Sequence, residues 1–259
     1  MVALIAALLA VIGWVVYAEW DRLGLPPLSD LINVRRVVPT PLASSTITVR
    51  PGESIDAAMR QASAGMEISV EPGEYRERIQ LKTGVRVVSS VPQGASLRLP
   101  GGASETDPAV VAFDVSDAEL SGFHIVGDAA TPLGTGVVVR NSDVTLNDVE
   151  ISGAKTAAVE YIGAKGGSIM AGYFHDNPGS AIVVRSGASP RIAHNAFIRN
   201  ATSERAPGML VVDPGAHPKI TQNTFYNVAP SEFSTLARDN WFIPPADNPP
   251  SRRDGRGRR

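Results

Sequence analysis

The 259-residue chain contains no cysteine, which excludes disulfide staples, thiolate metal ligands, a cysteine nucleophile and a lipid-bearing N-terminal cysteine. It also lacks an excess of either charge. With 24 Lys and Arg against 26 Asp and Glu, the net charge of −2 gives no domain-wide positive field to hold a phosphodiester backbone, so nucleic acid is not an expected partner. Aromatic residues are scarce at 6%, while 24 glycines and 20 prolines make the chain slightly rich in turns. Many short strands suit that composition better than long packed helices. The length allows one or two domains, each with a sizeable core. Nucleotide-binding signatures are missing too: Gly163-Ala164-Lys165-Gly166-Gly167-Ser168 departs from the phosphate-cradling Gly-x-x-x-x-Gly-Lys-Ser/Thr spacing.

What is present begins with an apolar segment. Residues 1–18, MVALIAALLAVIGWVVYA, carry no charged side chain, and at helical rise they extend about 27 Å, close to the thickness of a bilayer core. Trp14, Tyr17 and Trp20 sit where interfacial rings settle. Residues 1–20 are therefore expected to form one transmembrane helix that anchors a single-pass protein. The alternative is a signal peptide cleaved after Val16-Tyr17-Ala18, against which stands the lack of a charged n-region. That lack also raises the expectation that the chain is one part of a longer protein. Residues 21–46 contain Pro26, Pro27, Pro39 and Pro41 followed by Ser44-Ser45-Thr46, a composition that predicts an extended linker.

The main signal is an internal repeat. Gly187-Ala188-Ser189-Pro190-Arg191-Ile192-Ala193-His194-Asn195-Ala196-Phe197 recurs as Gly215-Ala216-His217-Pro218-Lys219-Ile220-Thr221-Gln222-Asn223-Thr224-Phe225. Weaker copies upstream put Leu120, Leu146 and Ile169 at positions equivalent to Ile192 and Ile220, which makes the unit about 25 residues long. Each unit holds two or three short alternating runs broken by Gly, Asn, Asp, Ser or Pro. A unit of this size with no helix cannot bury its own apolar face, so it must stack on its neighbours as a solenoid. Before the repeats, Ile55, Ala58, Met59 and Ala62 make an apolar stripe at helical spacing, fitted to cover the first coil. After them, Phe233, Leu236, Trp241 and Phe242 are expected to cover the opposite end. Residues 244–259 are Pro-rich and then basic, which predicts a disordered tail.

The opening Ile47-Thr48-Val49-Arg50-Pro51-Gly52-Glu53-Ser54-Ile55, the Glu71-Pro72-Gly73-Glu74-Tyr75 turn and the later Gly-x-x-Pro-x-Ile-x-x-Asn-x-Phe units resemble the right-handed parallel β-helix proteins of the pectate-lyase-like superfamily. The resemblance runs from about residue 47 to about 228. It implies an all-β right-handed parallel β-helix solenoid over residues 47–243, with a short N-terminal capping helix. Members with this fold act on or bind polysaccharides, so a carbohydrate or a cell-envelope component is the partner it implies, with the domain on the extracytoplasmic side, periplasmic or extracellular.

Stacking turns the repeat offsets into columns. Asn195 over Asn223 predicts a side-chain amide ladder at an inward turn, and Arg185 aligns with Asp213 as a cross-coil ion pair. The same alignment places His124, Glu150 and Tyr173 in one outward row, with His175 and Tyr226 two residues further along their strands. These five residues are the candidate ligand-binding surface, where aromatic faces stack on sugar rings and polar tips bind hydroxyls. No catalytic residue is assigned. Calcium-dependent lyases of the superfamily need several carboxylates on neighbouring coils, hydrolases need a carboxylate pair, and the epimerase motif Asp-Pro-His-Asp has only Asp107-Pro108 and Asp213-Pro214 as partial matches. The histidines His124, His175, His194 and His217 fall in different repeat phases, so neither a metal nor a cofactor is expected. The reading is a non-catalytic, membrane-tethered binding module. A polysaccharide lyase, epimerase or hydrolase is the first alternative, and the extracellular sensor region of a larger membrane receptor, such as a receptor kinase, is the second.

Overall fold

A computed structural model of the chain describes residues 45–104, 106–164, 166–228 and 236–244. The expected membrane helix at 1–20, the linker up to residue 44, Phe233 and the tail from residue 245 lie outside the described residues. The chain divides between Ala43 and Ser44, and everything below concerns the second unit. No helix among the described residues is long and apolar enough to cross a membrane.

The described strands form three parallel sheets. Sheet A holds eight strands from Thr46–Val49 to Lys219–Thr221, sheet B eight from Gly73–Arg76 to Trp241–Ile243, and sheet C six from Ile79–Gln80 to Leu210–Val212. The chain visits A, B and C in turn, and each strand pairs with the equivalent strands one coil before and after. This is the expected β-solenoid, and because every inward side chain lies over its counterpart, the core is a set of apolar columns. In sheet A the column is Ile47, Ile68, Val87, Leu120, Leu146, Ile169, Ile192 and Ile220. The last five are the positions that define the repeat in the sequence. In sheet B the column is Tyr75, Leu97, Ile125, Ile151, Phe174, Phe197, Phe225 and Phe242. Its four phenylalanine rings stack with centroids 5.3, 4.9 and 4.9 Å apart and interplanar angles of 16° or less.

The N-terminal end is covered as expected by a helix, Ile55–Gln61, whose Ile55, Ala58 and Met59 are buried. Ser54 caps it by accepting a hydrogen bond from the Ala57 backbone N–H at 3.0 Å, satisfying one of the free donors of the first turn. Glu77 adds its carboxylate, accepting from the Ile55 and Asp56 backbone N–H groups at 2.7 and 3.0 Å. At the other end the structure departs from expectation. Trp241 and Phe242 do not lie across the last coil; they belong to a strand that adds an eighth member to sheet B. Phe242 continues the ring stack, while alternation turns Trp241 outward, 59% exposed.

The amide ladder is present and longer than expected. Asn195 Nδ2 donates to Asn223 Oδ1 at 2.9 Å, and Asn223 Nδ2 donates in turn to Asn240 Oδ1 at 2.9 Å. Each amide also serves the backbone: Asn195 Oδ1 accepts from the Gly172 N–H, and Asn195 Nδ2 donates to the Ile169 carbonyl. Gly172 ends the ladder for a steric reason, since a Cβ there would come within 2.7 Å of the Phe174 ring and 3.0 Å of Asn195 Oδ1. A second ladder, Asn177 to Asn200, sits at another inward corner, with Nδ2 of Asn177 donating to Asn200 Oδ1 at 2.7 Å. It is not singled out in the sequence, although its offset equals that between Tyr173 and Ala196, which are partners across the same coil boundary. The expected Arg185–Asp213 pair forms at 3.5 Å, and Arg185 is bound more closely to Glu160, at 2.8 Å.

Candidate functional site

The outward face of sheet B carries the candidate residues in the register expected from the repeat. His124, Glu150 and Tyr173 are successive partners in one row, continued by Ala196, Thr224 and Trp241, while Ser152, His175, Ile198 and Tyr226 form the neighbouring row. Period-two alternation turns both rows to the outside because their neighbours Ile125, Ile151 and Phe174 are held inward. All five candidates are half-buried. Tyr226 stands apart, two coils beyond His175, with Ile198 between them.

The other four come together around one carboxylate. Glu150 Oε1 lies 2.9 Å from His175 Nε2 and 3.6 Å from His124 Nε2, one imidazole from each adjacent coil. Repeat phase alone separates these two histidines, yet side chains two residues apart on the same face lean across the sheet and meet at the coil between. Tyr173 packs against His175 with ring centroids 4.2 Å apart and planes 25° from parallel. On its far side, His175 Nδ1 lies 2.8 Å from Asp176 Oδ2, and Asp176 is gripped by Arg199 through Nε at 2.5 Å and Nη2 at 2.7 Å. A ring carrying two protons donates to both carboxylates, whereas a ring with one proton donates to only one of them. Asp176 and Arg199 are not singled out in the sequence. The available signal is that they are separated by the local repeat offset, and both sit at corners with positive φ, 51° and 48°.

Electrostatics separate the two ends of this chain of contacts. The two-pronged Arg199 contact and then the bond from His175 hold the Asp176 carboxyl down at about 2. His124 is pushed below the ordinary imidazole range chiefly by burial, opposed by the Glu150 charge and assisted by the neighbouring His175 and Arg98. Its Nε2 is buried without a hydrogen-bond partner. Among the described residues, no group of three or more His, Asp or Glu side chains is arranged to share a metal ion.

Comparison with known families fits this architecture. The family model described as a right-handed beta helix region matches residues 109–237, the coils that contain the five candidate residues, the Asn177–Asn200 ladder and the Asn195–Asn223 step of the other ladder. With the stacked parallel sheets, this shows the fold of a right-handed parallel β-helix. The coils themselves start well before the matched region, at Thr46. No curated protein matches the chain.

Proposed function

We propose that the protein is a non-catalytic β-helix module that binds a polysaccharide of the cell envelope on the outward face of sheet B, tethered to a membrane by its N-terminal apolar segment. The supporting observation is the stacked Tyr173–His175 pair beside Glu150: aromatic surface and hydrogen-bonding groups in rows along the coil axis, the combination that suits a chain of sugar rings. The test is a glycan-array screen of the full chain in detergent micelles, followed by reducing-end and unsaturated-product assays on every hit. Retention without product, lost in Tyr173→Ala, supports the proposal, and retention unchanged in that variant refutes it.

One observation favours a second reading, a lyase or epimerase. His124 is an imidazole held neutral by burial, with an unpartnered Nε2 beside a carboxylate, as a base that takes a proton from a sugar carbon would be. Turnover of any hit that disappears in His124→Gln with binding retained would establish it.

A further inference from the structure

The outward column of sheet A runs Thr46, Glu67, Arg86, Glu119, Thr145, Ser168, Arg191, Lys219. Near its start the charges alternate, and Arg86 is paired on both sides, with Glu67 at 3.0 Å and Glu119 at 2.8 Å. At its end Arg191 and Lys219 are direct neighbours of like charge, and neither has an ion pair among the described residues. Like charges facing each other across a ladder are unfavourable. An anion seated over both would relieve that repulsion.

A third cation joins them. Arg238, in the turn before the last strand of sheet B, lines a hollow of about 470 Å³ together with Arg191, Lys219, Gln222, Asp239 and Trp241. That volume lies within the roughly 300–1,000 Å³ of small-ligand sites. Three cations against the one carboxylate of Asp239 leave an excess of two positive charges. A phosphate monoester, carrying about −1.5 to −2 at neutral pH, matches that excess, and two guanidinium groups match its oxygens in geometry. A simple uronate, with one negative charge, matches it less well. Trp241, the most exposed large apolar side chain among the described residues, stands at the hollow's rim as a flat surface for whatever carries the phosphate.

We infer that this hollow is a binding site for a phosphorylated sugar, with the phosphate held by Arg191, Lys219 and Arg238 and the sugar ring against Trp241. The site shares no residue with the His124–Glu150–His175 cluster: Arg191 and Lys219 face outward from sheet A, one and two coils beyond the coil of His175, and Trp241 stands three coils beyond Tyr173 in the outward row of sheet B.

Isothermal titration calorimetry of the full chain in detergent micelles, with glucose 6-phosphate, glucose and inorganic phosphate as separate titrants, tests the inference. Glucose 6-phosphate should saturate, glucose should give no binding heat, and inorganic phosphate should bind at least about tenfold more weakly. Arg191→Glu and Arg238→Glu should each weaken the sugar phosphate about tenfold or more without lowering the thermal midpoint, and Trp241→Ala should reduce its affinity to that of inorganic phosphate. Should Arg191→Glu disturb the sheet, Arg238→Glu, in a turn, carries the test alone. The inference is overturned by any of three results: no sugar-phosphate binding up to roughly 10 mM, equal binding of glucose or inorganic phosphate, or parental affinity in the charge-reversal variants.

Discussion

In the first coils the inward positions of sheet B are filled by Tyr75, Leu97, Ile125 and Ile151; in the last they are filled by Phe174, Phe197, Phe225 and Phe242. The corner between sheets A and B changes one coil later. Val149 and Gly172, whose carbonyls accept from the Tyr173 and Ala196 N–H groups, occupy it early, and Asn195, Asn223 and Asn240 occupy it late. Coil lengths differ as well. Along the outer column of sheet A the sequence offset is 19 from Glu67 to Arg86 and 33 from Arg86 to Glu119, whereas it is 23 from Thr145 to Ser168 and the next coil repeats that value. One fold is thus held together in two ways. Early coils rely on varied aliphatic packing and a helical cap, while late coils rely on identical side chains placed over one another, where each amide or ring satisfies the next.

The strongest way to break that difference is to bury a charge within the ring stack. Phe225→Asp should abolish the native β signal in far-UV circular dichroism, because an unpaired carboxylate would stand between two rings in a fully buried site. Phe197→Ala should leave a folded protein destabilised by about 3–5 kcal/mol in chemical denaturation, against about 0.5–1.5 kcal/mol for Ile151→Val in the aliphatic part of the column. Asn223→Ala comes next. It removes the acceptor for both the Asn195 N–H and side-chain amide, at a cost of about 1–3 kcal/mol for buried groups left without partners.

A smaller effect depends on pH. Asp176 titrates near 2 in the folded chain against 3.8 ordinarily, so its contribution to stability is fully present above about pH 4 and is lost as the pH falls through about 2. Asp176→Asn should therefore melt earlier than the parent at pH 6 and converge with it near pH 2; a constant difference across that range would remove the Arg199 and His175 contacts as the cause. The effect is modest because Asp176 is half exposed. The smallest expected change is a gain. Arg191→Glu converts the like-charged end of the sheet A column into the alternating kind seen around Arg86, stabilising the unliganded protein by about 0.2–1 kcal/mol, detectable as a small rise in thermal midpoint.

The late coils can be read in the sequence for the reason that they are stable in this manner: stacking identical residues repeats them in the chain. Ile192 with Ile220, Asn195 with Asn223 and Phe197 with Phe225 declare the register directly, and the outward rows follow from it. What the repeat does not disclose are contacts between unlike side chains. The Asp176–Arg199 grip, the meeting of His124 and His175 at Glu150, and the position of Trp241 in an added strand depend on how side chains lean and how the last coil closes. The offset from Asn223 to Asn240 is only 17, against 23 and 28 within the other asparagine pairs, too short to be recognised as another copy of the unit. Whether the candidate face takes a ligand is a matter of chemistry that register alone does not address.

The pairing of each strand only with its counterparts in adjacent coils has a mechanical consequence. Pulled from its C-terminal end along the axis, the solenoid is held by strand pairing that never spans more than one coil boundary, so it should peel from that end like tape from a roll. Each freed coil of about 23 residues would lengthen the tether by about 75–80 Å, which is the reach of that many extended residues. The resulting force trace would be a sawtooth of unequal steps, set by offsets of 17 from Asn240 to Asn223, 28 from Asn223 to Asn195 and 23 from Asn195 to Gly172.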